Sequence, residues 1–204
     1  MNLYAQTSTP RNGQGNNEHQ NTRPEKKNHN EISKNVLSIC LINARSLMPK
    51  LHSLYETMQE LKTDVCVVTE TWMREDPEIN QHLEDFTNLT GYSILRKDRE
   101  NRRGGGVAIL FNNETISLTS VKTKRTDYEI LAALGRRTGQ RRKLLVIAVY
   151  VPPDYDSDQS SQCLSEVNDM ILSLRKRYNN PYVVVGGDWN KREARNAVLS
   201  LIHI

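Results

Sequence analysis

Six short apolar runs constrain this chain more than anything else in it: VLSICLI from Val36, VCVVTE from Val65, GVAILF from Gly106, YEILAAL from Tyr128, LLVIAVYV from Leu144 and YVVV from Tyr182. Each is shorter than an ordinary helix and is apolar at successive positions rather than at alternate ones. A strand of that kind must be covered on both faces, so the chain is pushed toward sheets with helices packed on them. Between the first two runs, Leu51, Leu54, Tyr55, Met58 and Leu61 recur at offsets of three and four, and Pro49 stands just ahead as a helix-start signal. The order is therefore β, α, β. A second amphipathic helix is expected on Leu164, Val167, Ile171, Leu174 and Tyr178, closed by Asn179-Asn180-Pro181. Pro152-Pro153 and Gly186-Gly187 punctuate the ends of the last two runs, and the sum is an α/β sandwich with two covering helices.

Composition sets the boundaries. Residues 1–35 are Asn, Gln, Thr, Pro, Gly and charge with almost no large apolar residue after Tyr4, so a disordered polar tail is expected there. The chain is 37% hydrophobic with a mean hydropathy of −0.65, and no apolar run approaches 18 residues, so no membrane partner is expected. No apolar segment follows the first residues as in a secretory signal, which points to an intracellular protein of the nucleus or cytoplasm. Cys40, Cys66 and Cys163 are odd in number and outside any CxxC spacing, which argues for reduced thiols over a disulfide framework or a structural zinc site.

Polar residues at the carboxyl ends of buried strands are where open α/β sheets build sites. Here they are Asn43, Glu70, Tyr150, and Asp188 with Asn190. Carboxylates and amides form a hard-oxygen set suited to Mg²⁺ or Mn²⁺, and no His or Cys cluster competes for a softer metal. Each has an ordinary alternative: Asn43 as a helix cap, Glu70 as an exposed strand-end acid, Tyr150 as an edge aromatic, Asp188 and Asn190 as turn residues. Their recurrence at the same end of successive strands is what sets them apart.

Charge adds a second signal. Lys plus Arg number 28 against 24 Asp plus Glu, a net +4. Arg96, Lys97, Arg99, Arg102 and Arg103 precede Gly104-Gly105-Gly106, and Arg136, Arg137, Arg141, Arg142 and Lys143 crowd a hairpin turn at Gly139. Such loops fit a phosphate backbone or are simply solvated. The triple glycine has neither GxGxxG nor Walker spacing, so close strand approach or a bulge is its expected use.

Five blocks carry a resemblance: NARSL (43–47), DVCVVTETW (64–72), RGGGVAIL (103–110), VYVPP (149–153) and GGDWN (186–190). In order and spacing they resemble the endonuclease/exonuclease/phosphatase superfamily, in particular the apurinic-type endonuclease domain of non-LTR (LINE-type) retrotransposons. The resemblance implies a four-layer α/β sandwich of the deoxyribonuclease I type and Mg²⁺-dependent phosphodiester hydrolysis that nicks DNA, with no small-molecule cofactor. It implies Glu70 as principal metal ligand with Asn43 beside it, and Asp188 orienting or deprotonating the attacking water. Asn190 would hold a phosphate oxygen, Tyr150 would contact the phosphate, and Arg45, Arg102 and Arg103 would meet the DNA. Relatives continue into a further Asp and a Ser-Asp-His block, and His203 stands in no such context. A domain over 36–198 lacking its last strands, with impaired activity, is therefore expected, and LSLIHI at 199–204 reads as a sequencing-adapter scar. Two other functions share the pattern: a phosphatase on a phosphoinositide or other small phosphoester, and a catalytically silent DNA-binding remnant.

Overall fold

The computed structural model describes residues 36–100, 104–123, 126 and 128–190; the expected tail, Arg102, Arg103 and the segment 191–204 lie outside the described residues. In chain order the elements are β1 (Ile39–Asn43), a single 3-10 turn (Met48–Lys50), α1 (Leu51–Glu60), β2 (Val65–Thr69) and α2 (Pro77–Thr90). There follow β3 (Tyr92–Lys97), β4 (Val107–Asn112), β5 (Ile116–Ser120), β6 (Glu129–Arg137), β7 (Leu144–Tyr150), α3 (Ser157–Arg177) and β8 (Tyr182–Asp188). They form two four-stranded sheets, ordered β1-β2-β4-β3 and β5-β6-β7-β8. The pairs β1–β2 and β7–β8 are parallel and the others antiparallel.

Because the apolar runs are apolar on both faces, each strand feeds two cores. Val65, Val67, Val107 and Ile109 of the first sheet meet Leu131, Ala133, Val146 and Ala148 of the second in the middle of the sandwich. The alternate residues turn outward. Cys66, Val68, Ala108 and Leu110 pack under Leu51, Leu54 and Met58 of α1 and Phe86 of α2. Leu145, Ile147 and Val149 pack under Cys163, Val167, Ile171 and Leu174 of α3. The layers run helix, sheet, sheet, helix, which is the deoxyribonuclease I type of architecture.

Periodicity finds two of the three described helices. In α2 only Phe86 is fully buried, so its apolar stripe is too thin to stand out; what builds it is Asp76, whose carboxylate caps the backbone N–H groups of Glu78 (2.9 Å) and Ile79. The strands β3 and β5 also escape the sequence signal, because one is half-buried at a sheet edge and the other is buried only at Ile116 and Leu118. All three cysteines are free thiols; Cys66 and Cys163 are buried and Cys40 is half-buried. Among the described residues no helix is long and apolar enough to cross a membrane.

Candidate active site

Each sheet contributes one parallel pair, and the carboxyl ends of both pairs fall on the same rim of the sandwich. Asn43 and Tyr150 are the last residues of β1 and β7, Asp188 closes β8 in register with Tyr150, and Glu70 follows the end of β2. Gly186, two positions before Asp188, has no Cβ to collide with Val67 of the opposite sheet, whose Cγ2 lies 3.1 Å from where that atom would be. The sheets can therefore close up just beneath the rim.

The side chains converge. Asn43 Nδ2 donates to Glu70 Oε1 at 2.8 Å and to Asp188 Oδ2 at 2.9 Å, so one amide joins two carboxylates, the farther of them 145 positions from it in sequence. The Tyr150 hydroxyl donates to the same Glu70 oxygen at 3.2 Å. Tyr150 is only 5% exposed. Burial, and then the adjacent Glu70 carboxylate, hold its hydroxyl well above the ordinary tyrosine range, so it remains a proton donor. The capping alternative for Asn43 fails, since the turn at Met48–Lys50 has no side-chain cap and the Asn43 amide is committed to the two carboxylates.

The backbone around these groups is bent in an unusual way. Arg45, Ser46, Glu70 and Trp72 have φ of 43, 77, 52 and 53°, the left-handed region that L side chains seldom occupy. Neighbouring amides hold them there: Ser46 N–H donates to Glu70 O at 3.0 Å, Thr71 N–H to Gly106 O at 3.2 Å and Trp72 N–H to Gly105 O at 2.9 Å. Such strain costs about 1–3 kcal/mol per residue and persists where surrounding structure fixes it, commonly at functional sites. The triple glycine thus serves close approach, as its spacing implied. At Gly106 (φ +83°) a Cβ would sit 2.4 Å from Thr71 Oγ1.

Of the remaining expected residues, Asn190 lies beside the cluster, but its side-chain Nδ2 donates to Val151 O at 2.9 Å and its backbone N–H to Asp188 Oδ1 at 3.2 Å. Its amide nitrogen ties the loop after β8 to the end of β7. Arg45 is exposed on the loop leaving Asn43, on the same rim. Arg102 and Arg103 lie outside the described residues. The second basic cluster is at the far end of the sandwich, where β6 ends and β7 begins, a strand length of roughly 20 Å away. There Arg142 Nε donates to Asn180 O at 2.7 Å and its guanidinium covers the Tyr182 ring at 4.1 Å. Sequence reasoning did not single out Glu129, a buried acid at the start of β6. Its only signal was a charge standing inside an apolar run.

The donor set fits a hard divalent cation. The carboxylates of Glu70 and Asp188 both meet the Asn43 amide, and the donors from Asn43 and Tyr150 both go to Glu70 Oε1, so among the described residues no hydrogen bond occupies Oε2. Among the described residues no group of three or more His, Cys, Asp or Glu forms a closed cage. An ion that keeps most of its water suits such a site better than one needing dedicated soft ligands.

The sequence pattern of the Endonuclease/Exonuclease/phosphatase family matches residues 32–193. This chain belongs to that family. Endonuclease/exonuclease/phosphatase proteins are phosphoester hydrolases that generally use divalent metal ions. Solved structures agree on the fold. An AP endonuclease from Archaeoglobus fulgidus is 21% identical with a TM-score of 0.53, over 82% of this chain and 70% of that one. A mannosyl-6-phosphatase from Bacteroides thetaiotaomicron is 15% identical with a TM-score of 0.59, over 81% of this chain and 70% of that one. ANGEL2, a 2',3'-cyclic phosphatase, is 20% identical with a TM-score of 0.56, over 76% of this chain. The chain spans 53% of the length of ANGEL2. No curated protein matches the sequence.

Proposed function

We propose that this family member is a DNA-nicking endonuclease domain of a LINE-type retrotransposon protein, hydrolysing a phosphodiester with Mg²⁺ or Mn²⁺. The observation that carries the reading is the convergence of Glu70, Asn43, Tyr150 and Asp188 at the carboxyl ends of two facing parallel strand pairs. Glu70, through its free oxygen, and Asn43 would hold the cation, which supplies charge neutralisation at the reacting phosphate. Asp188 is fixed at both oxygens, by Asn43 and by the Asn190 backbone, so it presents a rigid carboxylate that can orient a water and take its proton. Tyr150, kept protonated by burial, would turn its single O–H from Glu70 Oε1 to a phosphate oxygen when substrate binds. Arg45 on the rim, with Arg102 and Arg103 before the triple glycine, supplies backbone contacts to the DNA.

A second reading has support from the same fold, since a mannosyl-6-phosphatase and a cyclic phosphatase share it. The metal site of such proteins can be common while loops choose the substrate. The test is conversion of supercoiled plasmid to open circle by the purified chain in Mg²⁺. Nicking that disappears with a chelator and in Glu70→Gln supports the endonuclease. Turnover of inositol phosphates without nicking would transfer the assignment to a phosphatase. Salt-sensitive DNA binding with no hydrolysis of either substrate would make the chain a binding module.

A further inference from the structure

We infer that Glu129 and Arg99, which no part of the reading above uses, are positioning residues that hold Tyr150 and the Glu70 segment in their working geometry. The inference rests on the proposed hydrolytic site and adds the device that assembles it. Glu129 opens β6 and is the register partner of Tyr150 on β7, so both side chains stand on the face of the second sheet that looks toward the first. It is 6% exposed, and a carboxylate at that depth needs partners. Among the described residues it has two, in different parts of the chain.

One arm reaches Arg99 in the segment after β3. The Arg99 Nε donates to Glu129 Oε1 at 2.6 Å, and its guanidinium lies over the Tyr150 ring, 5.5 Å from the centroid. A guanidinium at that distance attracts the ring face and limits how far the phenol can swing. The other arm reaches the triple glycine, where the Gly106 backbone N–H donates to Glu129 Oε2. Gly106 and Gly105 then present their carbonyls to the N–H groups of Thr71 (3.2 Å) and Trp72 (2.9 Å), the two residues that follow Glu70. A single carboxylate is therefore connected to the tyrosine through an ion pair and to the metal-binding segment through the glycine backbone.

Energetics favours a positioning role over a stabilising one. A buried ion pair rarely stabilises a fold more than apolar side chains of the same volume would. Here the pair joins the two sheets where each supplies half of the site, and the segment it braces carries the left-handed Glu70 and Trp72. Groups that orient metal-binding and reacting residues typically change ion affinity or activity by about 10–100-fold when altered.

The experiment uses the full chain and four variants, Glu129→Gln, Arg99→Lys, Tyr150→Phe and the Glu129→Gln/Tyr150→Phe double. Three quantities are measured: Mn²⁺ affinity by electron paramagnetic resonance, kcat and KM for plasmid nicking, and folding by circular dichroism. Glu129→Gln keeps the shape and is expected to lower kcat and Mn²⁺ affinity each by about 10–100-fold, with KM for DNA within about threefold of wild type. Arg99→Lys keeps the charge but not the planar face, and is expected to lower kcat at least threefold with unchanged Mn²⁺ affinity. In the Tyr150→Phe background, Glu129→Gln should retain its effect on Mn²⁺ affinity and lose part of its effect on kcat. If Glu129→Gln does not fold, Arg99→Lys decides by its kcat alone. If wild type nicks no DNA, the endonuclease reading fails separately, and the Mn²⁺ affinity of Glu129→Gln decides the positioning claim. Folded variants with ion affinity and kcat within twofold of wild type would overturn it.

Discussion

Tyr150 shows how much one residue's surroundings decide. In sequence it is an aromatic at the end of an apolar run; in the fold it is buried, in register with Asp188, and aimed at Glu70. Because burial and the Glu70 carboxylate raise its pKa, the phenol keeps its proton well beyond the pH at which exposed tyrosines ionise. An alkaline titration followed at the tyrosinate absorbance should therefore give the same curve below pH of about 10 for wild type and Tyr150→Phe, since Tyr150 contributes nothing there. The same substitution should lower kcat by roughly 10²–10³, the usual effect of removing one donor aimed at developing charge, and change unfolding free energy by about 1 kcal/mol. Single-turnover nicking and urea unfolding measure the two. Of the site, Asn43, Glu70, Tyr150 and Asp188 were readable because each is a polar residue at the end of an apolar run. Glu129 was not readable, because a charge inside such a run has meaning only once its partners on other elements are known. Asn190 was read from its motif as a phosphate contact, whereas in the fold its amide nitrogen faces the Val151 carbonyl.

At the scale of elements, local signals and tertiary ones separate cleanly. The helix α3 is specified locally: Asp156 accepts from Gln159 N–H at 2.7 Å while the Gln159 side chain accepts from Asp156 N–H at 3.1 Å, a reciprocal cap, and a buried stripe follows. Asp156→Ala should cost about 1 kcal/mol by denaturant unfolding with no change at the rim. The segment Gly104–Gly106 is specified by what lies against it. Gly106→Ala would combine a φ of +83° with a Cβ 2.4 Å from Thr71 Oγ1, whereas Gly91→Ala, at φ +71°, meets nothing within 4 Å. The expected losses are about 3 kcal/mol for Gly106 and about 1 kcal/mol for Gly91. Only the first should also reduce hydrolysis, because only it displaces the peptides following Glu70. The elements missed in sequence, α2, β3 and β5, share one cause. Each buries few side chains, so apolar periodicity, which reports burial, reports little there.

For the molecule as a whole, two properties follow from the layers and the charge. Cys163 lies on the buried face of α3, packed against the second sheet, and burial raises its thiol from an ordinary 9.0 to about 12. A folded pKa above the unfolded one means that the neutral thiol's contribution to stability is complete below pH of about 9 and is lost as pH climbs toward about 12. Urea midpoints should fall over that interval in wild type and fall less in Cys163→Ala. If DNA is the substrate, binding should weaken with salt, and Arg102→Ala/Arg103→Ala should reduce the slope of log K against log salt by up to about 2. A slope equal to wild type would remove both arginines from the interface. By itself the sequence determined the strand runs, the two strongly amphipathic helices and the oxygen-rich residues at strand ends, because apolar periodicity and strand-end polarity are properties of the chain alone. Only the tertiary structure decided that these ends meet. Two sheets had to pack so closely over Gly186 that Asn43 could bridge Glu70 and Asp188, and a buried Glu129 had to find Arg99 and Gly106 across the gap. Contacts between residues as many as 145 positions apart depend on layer packing, which no local pattern encodes.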